Sequence, residues 1–250
     1  MSHIYLVWFD SYGAKSSCVF IETPDLHLLV DPGAKMDFSD MAMAKDYGDY
    51  QQRKNQLIDK GRAWFKKMAL RWKTEDWISE AGIQKMDIQI CDGRSFKKGS
   101  TFVRFTEPMF HGIEFDRVGW VVGVSVEHKG RKVIYTSDLQ GPSIEDYAQW
   151  IIKENPDILI LDGPPTYLFG FMVNRINLQR AIDNVCAILR GTTTNVIIYD
   201  HHLLRDARYK ERVGSAYTMA GDHKRALLTA AEWLGYDPLI VQITQQALNG

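Results

Sequence analysis

The chain has 250 residues, with 30 Lys and Arg against 31 Asp and Glu and a net charge of −1. That balance offers no electrostatic footprint for nucleic acid or an anionic membrane, and the length suffices for one large domain with a sizeable core. Cys18, Cys91 and Cys186 are odd in number and lack metal-finger spacing, and no apolar run reaches the roughly 18 residues of a membrane span. The expectation is therefore a cytoplasmic protein of the reduced compartment.

Taken in order, the elements begin with strands. Ile4–Phe9 is apolar, Ser11-Tyr-Gly turns, Ser17–Glu22 alternates, and His27–Val30 runs into Asp31-Pro-Gly. Residues 35–50 are acidic and Met-rich and fit a loop or a frayed helix. From Gln51 to about Trp77 the period becomes helical, with Leu57, Trp64, Met68 and Trp72 on one stripe and Arg and Lys mostly off it. A solvated basic face opposite a core-facing stripe accounts for that pattern.

Strands are predicted again at Met86–Cys91, Thr101–Phe105, Trp120–Glu127 and Lys132–Thr136, the last two joined by a hairpin at His128-Lys-Gly-Arg. Helix and strand then alternate. Helices are expected at Ile144–Lys153, Asn174–Leu189 and Tyr217–Leu234, and strands at Asp157–Leu161, Asn195–Tyr199 and Leu239–Val241. No linker or repeat interrupts this order, so residues 1–250 read as one layered α/β domain.

Polar residues gather at the predicted strand ends. His111 stands in Phe-His-Gly, Asp138 in Tyr-Thr-Ser-Asp, Asp162 before Gly-Pro-Pro, and Asp200 before His201-His202. Loops at strand ends offer such groups without breaking a core, and two imidazole positions with a carboxylate suit a divalent metal. Each also has a plainer explanation. His111 can be a hydrogen-bonded structural histidine, Asp138 a helix cap, and Asp162 the start of an Asx turn. In Asp200-His201-His202 the carboxylate could orient one imidazole that acts as ligand. His3, His27 and His128 receive no role.

The order His, Asp, His resembles the last three ligand motifs of the metallo-β-lactamase superfamily. Leu29-Val-Asp-Pro-Gly-Ala is similar to the strand leading to that superfamily's Asp-x-Gly. Phe110-His-Gly, Tyr135-Thr-Ser-Asp-Leu-Gln-Gly-Pro, Ile160-Leu-Asp-Gly-Pro-Pro-Thr-Tyr and Asp200-His-His-Leu-Leu-Arg-Asp are the more specific segments. Together they resemble an uncharacterised prokaryotic branch of predicted metal-dependent hydrolases within that superfamily. The resemblance implies a four-layer αββα sandwich with its site at one edge. It also implies a divalent metal (Zn²⁺, Mn²⁺ or Mg²⁺) on His111, Asp138 and His201 or His202, with Asp162 and Asp200 as catalytic or orienting carboxylates.

One departure is large. The superfamily's His-x-His-x-Asp-His is absent, and Asn55-Gln-x-x-x-x-Gly-Arg-Ala already resembles what relatives place after it. A deleted strand–helix segment is the simplest reading, leaving a reduced site for one ion or none. Asp37, Asp40, Asp46 and Asp49 follow Asp-Pro-Gly and could supply replacement carboxylates, or they are solvated surface acids. The expected function is a metal-dependent hydrolase of a small molecule. The alternative is an inactive relative that binds a ligand or partner, with a homodimer covering the edge exposed by the lost strand.

Overall fold

The computed structural model describes residues 2–13, 17–30, 91–114, 116 and 118–249, and within 51–70 only Asp59, Arg62, Ala63, Lys66, Lys67 and Leu70. Those six are helical and exposed, as a solvated face requires. The Leu57–Trp72 stripe, residues 86–90 of the strand expected at Met86–Cys91 and the acidic residues from Asp37 to Asp49 lie outside the described residues; Cys91 itself is not in a strand.

Strands β1 (His3–Trp8), β2 (Cys18–Glu22) and β3 (His27–Val30) form a small antiparallel sheet. A second sheet has seven strands: β4 (Ser95–Lys98), β5 (Thr101–Phe105), β8 (Val124–His128), β9 (Arg131–Tyr135), β10 (Ile158–Asp162), β11 (Val196–Asp200) and β12 (Ala226–Leu228). Its order is β12-β11-β10-β9-β8-β5-β4, parallel from β12 to β9 and antiparallel beyond. β6 (Met109–Phe110) and β7 (Trp120–Val121) make a separate pair. This is a mixed α/β architecture.

Away from the exposed edge strand β4, the large sheet is covered on both faces, and period-2 alternation divides its side chains between them. Leu159, Leu161, Ile197, Tyr199 and Leu227 join a core with helices Glu145–Glu154, Arg175–Gly191 and Gly214–Asp222. Their strand neighbours Ile160, Ile198 and Tyr135 face the other way, against Val19 and Ile21 of the small sheet and Phe9 just after β1. The small sheet thereby packs on the large one. No helix among the described residues is long and apolar enough to cross a membrane.

Three sequence expectations need correction. Trp120–Glu127 is two strands, because the chain changes partner at Gly123: β7 pairs with β6, whereas β8 pairs with β5. The helix expected over Tyr217–Leu234 ends at Asp222. Lys224 takes φ 52°, Arg225 N–H closes on Ala220 O at 2.8 Å, and Ala226–Leu228 pairs with β11 instead. Ala and Leu favour helix, but pairing on a buried sheet outweighs a few tenths of a kcal/mol of propensity. Helix resumes at Ala230–Trp233 through a Thr229–Glu232 capping box. The strand expected at Leu239–Val241 opens the helix Leu239–Asn249, where Pro238 O accepts the first bonds from Val241 and Gln242. Two β-branched residues suggested a strand there; Pro is well suited to a helix start.

Candidate metal centre

Parallel pairing fixes the site. Asp162 ends β10 and Asp200 ends β11, and the two are register partners. Asp138 lies just past β9, whose Tyr135 pairs with Ile160. The carboxyl ends of three adjacent parallel strands therefore deliver three carboxylates to one edge, where side chains of open α/β sheets commonly gather. His111 follows β6. It is buried, and Gly112 at φ 99° turns the chain directly after it.

Both adjacent histidines face this edge. His201 takes φ 63°, a left-handed conformation that few non-glycine residues adopt, and opens a 3-10 turn spanning His201–Arg205. The reversal brings the His201 and His202 rings together at 4.2 Å, and the His202 ring lies 5.4 Å from that of His111. Ser137 (φ 54°) and Gln140 (φ 51°) flank Asp138 in the same unusual region. Three such residues on two loops mark a segment held in place by its surroundings.

Each imidazole of the pair is held by its own carboxylate. His202 Nδ1 lies 3.0 and 3.1 Å from the two oxygens of Asp162. Asp162 also accepts the backbone N–H of Gln140 at 2.7 Å and of His202 at 3.1 Å. His201 Nδ1 lies 2.5 Å from Asp10 Oδ2, and Arg205 Nε donates to Asp10 Oδ1 at 3.0 Å. In both rings Nδ1 is occupied by a carboxylate and Nε2 points elsewhere. This is the usual outer arrangement around histidine ligands, where a carboxylate fixes ring orientation and tautomer.

The groups that converge on the remaining space are poorly satisfied. His201 Nε2 is 3.4 Å from Asp138 Oδ1, and His111 Nε2 is 3.9 Å from Asp138 Oδ2. The enclosed atoms His111 Nε2 and Asp138 Oδ1 have no hydrogen-bond partner among the described residues. Buried polar atoms are nearly always paired, so these two enclosed atoms call for a further partner such as an ion or water. Ligands that share one ion at about 2.0–2.2 Å stand roughly 3–4 Å apart, which the separations here match. Asp162, His201 and His202 also offer atoms within 4.8 Å of one another. Both oxygens of Asp162 already accept hydrogen bonds, whereas Asp138 Oδ1 has none among the described residues.

Electrostatics follow from the same contacts. Burial lowers the His111 pKa, and His202 lowers it further against the carboxylates nearby, so its ring is neutral and ready to ligate. Burial opposes charge on His201 as well. The carboxylates of Asp10 and Asp138 outweigh it and raise the pKa to about 11. Burial would raise Asp138, but His201 and then His111 hold it well below the ordinary carboxylate range.

Asp200 sits deeper. Its oxygens accept backbone N–H groups of His201, Ser11 and Ala230 at 2.6, 3.1 and 2.8 Å. Burial raises its pKa, and these three donors work against that rise. Sequence reasoning missed Asp10 entirely. It lies in the 3-10 turn Asp10–Tyr12 after β1, far from the other motifs, and the only available signal was a carboxylate at a strand end. His128, read as a turn residue, is buried at the end of β8 with Nδ1 2.9 Å from Thr101 Oγ1 and 3.6 Å from Asp25.

No family model matches the chain. A UPF0282 protein of Methanopyrus kandleri is 29% identical, covering 97% of this chain and 97% of its own. Further relatives are also UPF0282 proteins from archaea. One from Korarchaeum cryptofilum is 29% identical over 89% of this chain and 86% of its own length, and one from Saccharolobus islandicus 27% over 96% and 90%. The Methanopyrus alignment spans 290 positions, more than this chain has residues, so that relative carries residues without a counterpart here. Among solved structures, a candidate Zn-dependent hydrolase of the metallo-β-lactamase superfamily from Thermotoga maritima is 16% identical over 45% of this chain and 47% of its own, with a TM-score of 0.27.

Proposed function

We propose that the chain is a metal-dependent hydrolase of the metallo-β-lactamase type, built on a four-layer αββα sandwich and working with a reduced metal site. The observation that carries this reading is the pair of enclosed, unpartnered atoms, His111 Nε2 and Asp138 Oδ1, beside His201 Nε2. His111, Asp138 and His201 would hold one ion, with His202 Nε2 as the further nitrogen. Bound there, a divalent ion would polarise a substrate oxygen and acidify a water.

The protein's own residues divide the remaining work. Asp10 and Asp162 orient the two imidazoles through Nδ1. Asp162 would also serve as the proton acceptor, once a hydrogen bond to one of its oxygens is released. Asp200 ties the turn of His201 to Ser11 and Ala230 and acts on geometry rather than on substrate. The donor set of two or three nitrogens and one carboxylate suits Zn²⁺ or Mn²⁺ better than Mg²⁺.

Metal content by elemental analysis, on protein purified without chelator or a histidine tag, tests the reading. About one equivalent in the wild type and none in Asp138→Ala is expected. A second reading has one observation in its favour: no His-x-His-x-Asp-His motif stands anywhere in the chain. In that reading the protein binds a ligand without turning it over. Wild-type protein that stays metal-free after reconstitution with Zn²⁺ and with Mn²⁺ would decide for it.

A further inference from the structure

The groups that meet at the metal centre are not held alike. Asp138 follows β9, and His201 and His202 follow β11, so the ladders of the large sheet fix where each begins. His111 follows β6, which pairs only with β7 among the described residues and has no ladder to the large sheet. His111 Nε2 nonetheless stands 3.9 Å from Asp138 Oδ2, with its ring 5.4 Å from that of His202. Something other than the sheet places it there.

The helix Glu145–Glu154 links the two ligands. The loop that carries Asp138 runs straight into it, braced by Ser143 Oγ donating to Gln140 O at 3.1 Å and Asn184 Nδ2 to Pro142 O at 3.0 Å. The first turn of the same helix reaches the histidine. Tyr147 Oη accepts the N–H of Phe110, the residue before His111, at 2.7 Å. On the other side of His111, Arg180 of the helix Arg175–Gly191 holds Glu114, with Nη1 donating to Oε2 at 3.1 Å and Nη2 to Oε1 at 2.7 Å. It also donates to both oxygens of Glu145, at 2.9 and 2.7 Å. A guanidinium fork of this kind fixes direction as well as distance. Glu145 is more than half exposed, so that arm adds little, whereas the Arg180–Glu114 contact is only about a quarter exposed on either side.

We propose that Tyr147 and Arg180 are positioning residues. They pin the chain before and after His111 to the helix whose leading loop carries Asp138, and so set the gap in which an ion would sit. A ligand set is spoiled by displacements of about 0.5 Å, so these contacts govern affinity although neither side chain touches the ion. The effect on metal rests on the metal-centre reading; the placement of His111 does not.

The test compares Tyr147→Phe and Arg180→Gln with Thr194→Val as a control. Thr194 Oγ1 donates to Pro156 O at 2.7 Å, ahead of β10 and β11 and at the opposite end of both strands from the site. In metal-free protein, nuclear Overhauser contacts between the His111 and His202 rings should be present in wild type and control and weakened in both positioning variants. Zinc affinity by competition should fall roughly tenfold in each of them. The visible band of the Co²⁺-loaded protein should weaken and shift as one nitrogen is lost. The control should lose stability in urea and keep all three signals. Intact ring contacts in both positioning variants, or zinc affinity no lower than in the control, overturn the proposal. Wild type that takes up no metal would sink the metal-centre reading, and the ring contacts would still decide on Tyr147 and Arg180.

Discussion

Asp10 and His201 meet at 2.5 Å, carboxylate to Nδ1, across the join between the two sheets. Asp10 follows β1 of the small sheet and His201 follows β11 of the large one. The contact therefore couples the packing of the sheets to the aim of an imidazole. Arg205 closes the arrangement by binding the other oxygen of Asp10.

Asp10→Asn keeps the size of the side chain but withdraws the charge that holds His201 and Arg205. Losing an orienting carboxylate of this kind lowers metal affinity by roughly 10- to 100-fold. Zinc competition against a chromophoric chelator would measure it. Wild-type affinity in a folded Asp10→Asn protein would show that the His201 ring needs no such support.

The metal-free protein should lose stability as pH rises. His201 has a folded pKa of about 11 against an ordinary 6.5, so its contribution is complete below about 6.5 and is lost as pH climbs through about 11. Asp138 has the opposite sign: its contribution is present above its ordinary 3.8 and fades as pH falls towards its lowered folded value. Metal must displace a proton from His201, so metal affinity should rise across the same alkaline window. Thermal melts with and without Zn²⁺, run at several pH values, check both slopes. A flat metal-free profile above neutrality would contradict the His201 assignment.

Gly163 is a steric keystone for the histidine turn. A Cβ there would lie 2.5 Å from the Cβ of Leu203, an atom that cannot move without its backbone. Gly163→Ala should cost about 1–3 kcal/mol by overpacking and push the His201–Arg205 turn outwards. Urea unfolding gives the first quantity, and a fall in metal affinity beyond the stability loss gives the second. If neither changes, the turn has more slack than its packing indicates.

Chelator treatment should lower the melting temperature of wild type and leave Asp138→Ala unmoved, because an ion that binds only the folded state stabilises it by mass action. Differential scanning fluorimetry is sufficient. An equal response of both proteins to chelator would place the ion elsewhere.

Much of the large sheet was legible from residue pattern. Ile158–Leu161 and Val196–Tyr199 are short apolar runs ending in Asp, and that signature of a buried parallel strand survives without any tertiary information. The site histidines were legible for the same reason, since a polar residue closing an apolar run stands out. The roles of His201 and His202 were not, because the choice depends on a left-handed φ at His201 that turns both rings to one side. Asp10 was invisible because its meaning comes from a partner 191 residues away. The Ala226–Leu228 strand was masked by its own composition, which favours helix until β11 is alongside.

That long reach has a temporal consequence. The contacts Asp10–His201 and Ser11–Ala231 join residues 191 and 220 positions apart. Closing loops of such length comes late in folding, and a chain emerging from the ribosome holds its first strand ready long before the partners exist. On the proposed ligand set, an ion could settle only after the His201–His202 turn has been synthesised and docked. Metal occupancy in a cell would thus mark chains extended past that turn: a product cut short before it could carry β1 to β11 and still hold no ion.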